Sequence, residues 1–302
     1  MTLSHLRRFV PAVLITSLAA VALAACGGSS DSSSTTSSQA NSATATKDAN
    51  VAAMVPAAFQ GKPLTVALDA SYPPMELFDK DGKTIIGLDA DLANALATTM
   101  GLTAAPQNVT FDSIIPGIDA GKYALGMSSF TDTKEREKTV DFVTYLNVGT
   151  AIYVTASSNA NVNTIADLCG LTVALEKGTT QQDAAEKQAK ACPADKKLTV
   201  LVFPDQNAAN LALSSNRAQV GLADAPVAAW AVKESGGKFK AVGTAFAQAP
   251  YGIAMSKSGK LAPAVQAALK VLIDNGVYKS ILAKWDMSGS AITDPTINGA
   301  TS

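Results

Sequence analysis

YALGMSSFTDTKERE, residues 123–137, passes without interruption from a buried-strand pattern into a run of small polar side chains. After YALGM, the residues Ser128, Ser129, Thr131, Asp132 and Thr133 crowd ahead of one arginine, Arg136. Two readings stand. The run starts a helix, with Asp132 and Glu135 as a capping-box-like pair, or it receives an anion.

Outward from this stretch, strand and helix signals alternate. Upstream, residues 64–68 (LTVAL) form a short apolar run, and residues 89–100 (DADLANALATTM) carry apolar residues at helical spacing from Leu88 to Met100, with Gly101 as the stop. Residues 111–120 read as a second short helix. Downstream, strands are expected at 148–154, 171–175, 198–202 and 220–222, with helices at 180–191, 206–215, 225–234, 261–275 and 277–285. Such alternation predicts an α/β fold with parallel-dominated sheets and helices on both faces.

In such folds ligands sit beyond the carboxyl ends of the strands, near helix N-termini. Three loops carry suitable side chains there: MSSFTDT, EKGTTQ at residues 176–181, and ADAP at residues 223–226. Each is also explained by capping, through Asp132, Thr179 or Thr180, and Asp224. Capping alone does not account for three polar loops after three apolar strands.

The start of the chain has another character. Arg7 and Arg8 precede 15 largely apolar residues, and small residues lead to Cys26. This pattern predicts a secretory signal over residues 1–25, too short to span a bilayer. Leu23-Ala24-Ala25-Cys26 is similar to a bacterial lipoprotein box, so Cys26 is the expected lipidation site; a plain signal peptide beside a coincidental cysteine is the alternative. Small polar residues from Gly27 to Asn50 cannot bury a core, which makes 26–55 a flexible tether. As a coil, the stretch from Gly27 to Asn50 spans about 25–30 Å.

Removing the leader takes two of 24 basic residues and none of the 25 acidic ones, leaving a formal charge of 22 − 25 = −3. No basic stripe suggests nucleic acid. Cys169 and Cys192 in an exported chain are expected to form a disulfide, free thiols being the other reading. The single histidine, His5, leaves with the leader. Histidine-based nucleophilic triads and histidine metal ligands are therefore excluded, and no cofactor is expected. GIDAGKY at residues 117–123 lacks the spacing of a phosphate-cradling loop.

SYPPMELFDKDGKTIIGLDADLANALA, FDSIIPGIDAGKY, MSSFTDTKEREKTVDF and EKGTTQ, in that order, resemble the family 3 solute-binding proteins of ATP-binding-cassette importers, which capture polar amino acids. The likeness runs over residues 62–285. Ala90 stands where that family expects a larger aliphatic, and Ala124 and Gln219 stand where Asp is frequent.

The resemblance implies a type II periplasmic-binding-protein-like fold of two lobes joined by two hinge crossings near VGTAIYV and GTAFAQAP. Lobe 1 would hold residues 56–149 and 248–302, and lobe 2 residues 150–247. It further implies that Arg136 pairs with the α-carboxylate of an amino acid, helped by backbone N–H groups at Thr131 and Thr180. Asp224, with oxygens of Ser129 and Thr131, would hold the α-ammonium. Tyr72, Phe111 and Phe130 would wall the side chain. Asp69 and Glu176 would lie near its end and favour a cationic group, solvated surface carboxylates being the alternative. The expected partners are a free amino acid, an ABC permease with its ATPase, and the membrane through Cys26, the protein being a monomer on the outer face of the plasma membrane or in a periplasm. A small-carboxylate dehydratase on the same frame and a surface interaction protein are the competing readings.

Overall fold

A computed structural model describes residues 44–301; the expected signal segment, the expected lipidation site at Cys26 and most of the expected tether lie outside the described residues. Helical structure begins before residue 55, the end expected for the tether. Asp48 accepts from the backbone N–H of Asn50 and Val51 and so starts helix α1, Ala49–Met54. Val51 and Val55 are buried in the main core. One capping aspartate and two valines give this stretch an apolar face that the Ser/Thr-rich run before it lacks.

Eleven strands and seven further helices come after it among the described residues: β1 (Leu64–Leu68), β2 (Ser71–Tyr72), β3 (Glu76–Phe78), β4 (Ile85–Ile86), α2 (Leu88–Thr99), β5 (Ala104–Asn108), α3 (Phe111–Asp119), β6 (Leu125–Gly126) and β7 (Val140–Thr155), then β8 (Thr172–Glu176), α4 (Thr180–Ala191), β9 (Thr199–Phe203), α5 (Gln206–Ser214), β10 (Val220–Asp224), α6 (Ala225–Glu234), β11 (Phe239–Ser256), α7 (Ala262–Asp274) and α8 (Val277–Lys284). Eight strands form one sheet in the order β5-β1-β6-β11-β7-β10-β8-β9, while β2, β3 and β4 form a small separate one.

The large sheet has two parallel arms. β5, β1 and β6 make one, and β10, β8 and β9 make the other. Between them run β11 and β7, antiparallel to each other and to their neighbours. The expected crossings are therefore segments of two much longer strands. Register shifts between Val242 and Phe246, and between Phe246 and Ala249, mark where their pairing is irregular. Each arm buries its own apolar residues: Leu64, Val66 and Leu68 with Leu92 and Leu96 of α2 on one side, and Val173, Leu175, Val220 and Leu222 on the other.

Register decides where the strand ends point. β6 approaches the crossing as Leu125 pairs with Met255 and Gly126 with Ala254. β10 approaches it from the opposite side, Val220 facing Val154 and Asp224 facing Thr150. The carboxyl ends of both arms thus converge on the middle of the molecule, the place where open α/β sheets bind ligands.

Candidate functional site

Three strand ends deliver carboxylates into this convergence. Asp69 comes just after β1, Glu176 closes β8, and Asp224 closes β10. Together with Tyr72, Phe111, Ser129, Thr131, Arg136 and Thr180 they line one narrow cleft. Phe130 stands behind the cleft wall and stacks on Phe111, with ring centroids 4.4 Å apart. All ten site residues expected from sequence are brought together.

Arg136 is clamped from four directions. Its Nη1 donates to the Thr131 carbonyl at 2.8 Å, and its Nη2 donates to the Gly178 carbonyl at 2.9 Å. The guanidinium lies 5.3 Å from the Phe130 ring centroid and 5.5 Å from that of Phe111, within cation–π range. Gly178 presents its carbonyl from a left-handed turn, φ 79°, and a Cβ there would press on Asp112. Burial lowers the Arg136 pKa to about 10, which still leaves the group charged at neutral pH.

Thr131 faces Tyr251 in an antiparallel bridge whose flanking hydrogen bonds run from Asp132 N to the Pro250 carbonyl and from Gly252 N to the Phe130 carbonyl. By the alternation of such pairs, the N–H and C=O of Thr131 itself point away from Tyr251, and the C=O meets Arg136. From the other arm, Thr180 opens α4, so its N–H belongs to the helix turn with no intrahelical partner. Thr179 caps that helix by accepting from Gln182 N, as expected.

Two capping expectations fail. Asp132 is buried and accepts from Gly299 N at 2.8 Å. Glu135 is exposed and pairs with Lys138, and in place of a helix there is only a 3-10 turn, Arg136–Lys138. Asp224 makes no side-chain cap to α6, which starts with Ala225 and a proline instead. Its Oδ2 accepts from the Tyr72 hydroxyl at 2.9 Å and its Oδ1 from Gln181 Nε2 at 2.8 Å. Burial raises its pKa, and the Tyr72 and Gln181 hydrogen bonds oppose that rise.

Asp69 accepts from Ser71 N and from Phe111 N, 3.1 and 3.0 Å away, and desolvation raises its pKa. Glu176 is only 2 % exposed, and its Oε1 is buried with no hydrogen-bond partner. Burial, then the charges of Asp69 and Asp205, push its pKa well above the ordinary carboxylate range. A surface role for these two acids is thereby overturned.

Sequence reasoning missed Gln181, Thr179 as a wall residue, and Ser128. Gln181 joins Asp224 to Thr150 through its amide nitrogen; a buried amide one residue into a helix leaves no trace in hydrophobic periodicity. It also missed the support beneath the loop. Ser128 Oγ donates to Glu76 at 2.7 Å, and Ser129 N donates to Asp89 at 2.8 Å. Ser129 has φ 55°, an uncommon conformation for a side-chain-bearing residue, and this bond anchors it. Among the described residues no group of His, Cys, Asp and Glu is arranged to hold a metal ion.

A family profile described as bacterial extracellular solute-binding proteins, family 3, matches residues 64–288. The arginine-binding protein ArgT of Corynebacterium glutamicum is 36 % identical over 252 residues, 82 % of each chain. Among solved structures, an ancestral arginine-binding protein bound to arginine superposes with a TM-score of 0.69 at 32 % identity, over 74 % of this chain and 97 % of the other. An ancestral amino acid-binding protein, AncCDT-1, a precursor of cyclohexadienyl dehydratase, gives 0.67 at 32 % identity, covering 74 % and 95 %.

Proposed function

Because this chain belongs to the bacterial extracellular solute-binding proteins of family 3, we propose that its cleft captures a cationic amino acid, L-arginine foremost, for delivery to an ABC permease. Arg136 takes the α-carboxylate, since a guanidinium offers two parallel donors to two oxygens, and the N–H groups of Thr131 and Thr180 complete that anion site. Asp224, with oxygens of Ser129 and Thr131, takes the α-ammonium. Tyr72 and Phe111, backed by Phe130, wall the aliphatic stem. Asp69 and Glu176 receive the side-chain cation. The lobes divide at residues 149/150 and 247/248, inside β7 and β11, so closure bends the two crossing strands.

The buried, unpartnered Oε1 of Glu176 carries the choice of a cation. Ionised, the three cleft carboxylates and Arg136 sum to −2, and a ligand of net charge +1 offsets half of that. An acidic ligand would deepen it, and leaving a buried charge unmatched costs about 3–5 kcal/mol. The names of the arginine-binding relatives support the same reading.

A thermal-shift panel over the twenty amino acids tests it. At one hundred times Kd a ligand adds about 2.7 kcal/mol, or roughly 5–10 °C in a domain of this size. L-arginine and L-lysine should give such shifts. Shifts from L-glutamate or L-aspartate, without any from L-arginine, would sink the cationic reading.

The protein acts as a binder and not an enzyme, as a monomer carried on the outer membrane face by lipid on Cys26; failure of metabolic palmitate label to appear on the chain, or its persistence in Cys26→Ser, would refute the anchor. Among the described residues no helix is long and apolar enough to cross a membrane. One observation favours turnover, the likeness to a dehydratase precursor, with Glu176 as the available acid. Conversion of a cyclic carboxylic acid by the purified chain would support it, and recovery of the ligand unchanged would exclude it.

A further inference from the structure

Residues 296–300 come after the last helix and lie beyond the stretch that matches the family profile. They run back along β7. Thr144 N donates to the Thr296 carbonyl at 2.9 Å, Thr296 N returns a bond to Thr144 Oγ1 at 2.9 Å, and Ile297 bridges Val143. Asn298 donates from its backbone to the Phe142 carbonyl and from its amide to Asp141, and accepts from Phe142 N. The segment then leaves β7 and reaches the loop that carries Arg136. Gly299 N donates to Asp132 Oδ2 at 2.8 Å, and Ala300 N donates to Glu137 Oε1 at 3.1 Å.

These two consecutive donors bracket Arg136 on both sides. The loop's own bonds are short-range: Arg136 N donates to Thr133 Oγ1 and Glu137 N to the Thr133 carbonyl, next to a single 3-10 turn, and Lys134 pairs with Glu137. Asp132 N and the Phe130 carbonyl tie its start to β11. Asp132 is 1 % exposed and its Oδ1 has no hydrogen-bond partner, an expensive position for a carboxyl unless a specific contact requires it. Gly299 is needed for the approach, because a Cβ there would collide with Thr296 Oγ1 and come within 2.8 Å of Thr144 Cγ2.

We propose that residues 296–300 are a strap that sets the position of Arg136, with Asp132 as the positioning residue through which it acts. The strap touches no ligand. Its effect on affinity comes through the backbone of residues 131–138. This rests on the reading of the cleft as an amino-acid site, but its mechanical half does not. Burial, and then the neighbouring Glu137 charge, raise the Asp132 pKa to about 7, so a neutral asparagine there keeps the acceptor for Gly299 N.

The test compares the full chain with a form ending at Pro295, with Gly299→Val, with Asp132→Ala and with Asp132→Asn. Hydrogen exchange of residues 131–138 and calorimetric binding of L-arginine are measured for each. Exchange in that segment should accelerate in the first three variants, and Kd for L-arginine should rise about tenfold, the weight of roughly one hydrogen bond. Asp132→Asn should stay near the parent in both. Should the shortened form not fold, the two point variants carry the same expectation. Unchanged exchange at residues 131–138 overturns the strap, and faster exchange with unchanged affinity overturns its positioning role. A parent chain that binds no amino acid refutes the cleft assignment alone, and exchange then decides the strap.

Discussion

Arg136 carries the largest single expectation. A guanidinium held by two carbonyls and two aromatic faces is already oriented before a ligand arrives, so little entropy is lost on binding. Arg136→Ala should weaken L-arginine binding by about two to three and a half decades, the equivalent of the 3–5 kcal/mol for breaking a buried charge pair. Its circular dichroism should stay native. Near-parental affinity by titration calorimetry would remove the role. Asp89 makes a different prediction. It is fully buried, accepts from the Tyr145 hydroxyl at 2.7 and 2.9 Å and from Ser129 N, and burial raises its pKa to about 6. The folded pKa lies above the unfolded one, so the folded state binds the proton more tightly. The associated stability is fully present below about pH 4 and is lost as pH rises through about 6, a term on the order of 3 kcal/mol. Asp89→Asn has no proton to lose there. Its melting temperature should fall less than the parent's between about pH 5 and pH 8; parallel curves would contradict this.

At the scale of elements, α4 is pinned at both ends. Thr179 caps its start beside the cleft, and Cys192 at its end is bonded to Cys169. That disulfide spans a sequence separation of 23 residues and lies wholly on the far arm. Closing such a loop is worth about 3 kcal/mol in the chain-entropy model, so reduction should lower the melting temperature by roughly 6–12 °C. L-arginine affinity at 25 °C should change little, because the bond does not cross the cleft; a large loss on reduction would show that the far arm needs it to shape the site. Elements with sharp punctuation were legible in the sequence: LTVAL gives β1 at its observed bounds, and α4 and α6 begin and end as read. The small sheet β2–β4 was not, since runs of two or three residues among Pro73, Pro74 and Gly82 carry no periodicity. Nor was β5, whose AAPQN has a proline and two polar residues. β7 was legible only over residues 148–154, because Asp141, Thr144 and Asn147 break the apolar run before them. β11 was not legible as a strand from its pattern, Gly243, Gln248 and Pro250 interrupting any alternation. The partner of Asp132 sits 167 residues away, and a local motif cannot reveal it.

At the scale of the molecule, the two arms meet through a few polar contacts. Tyr72 reaches Asp224, Arg136 reaches the Gly178 carbonyl, Gln206 N donates to Ser71 Oγ at 3.2 Å, and Lys177 pairs with Asp112 at 2.7 Å. Two of these four involve residues of the cleft itself, so the proposed ligand, a zwitterion between Arg136 and Asp224, would tie one arm to the other. The most direct measurement is calorimetric titration with L-arginine, with agmatine, which lacks the carboxylate, and with 5-guanidinopentanoate, which lacks the ammonium. L-arginine should bind one to one, and each analogue should bind at least about a hundredfold more weakly, the cost of leaving one buried charge unmatched. Agmatine or 5-guanidinopentanoate binding as tightly as L-arginine would contradict the two-ended grip.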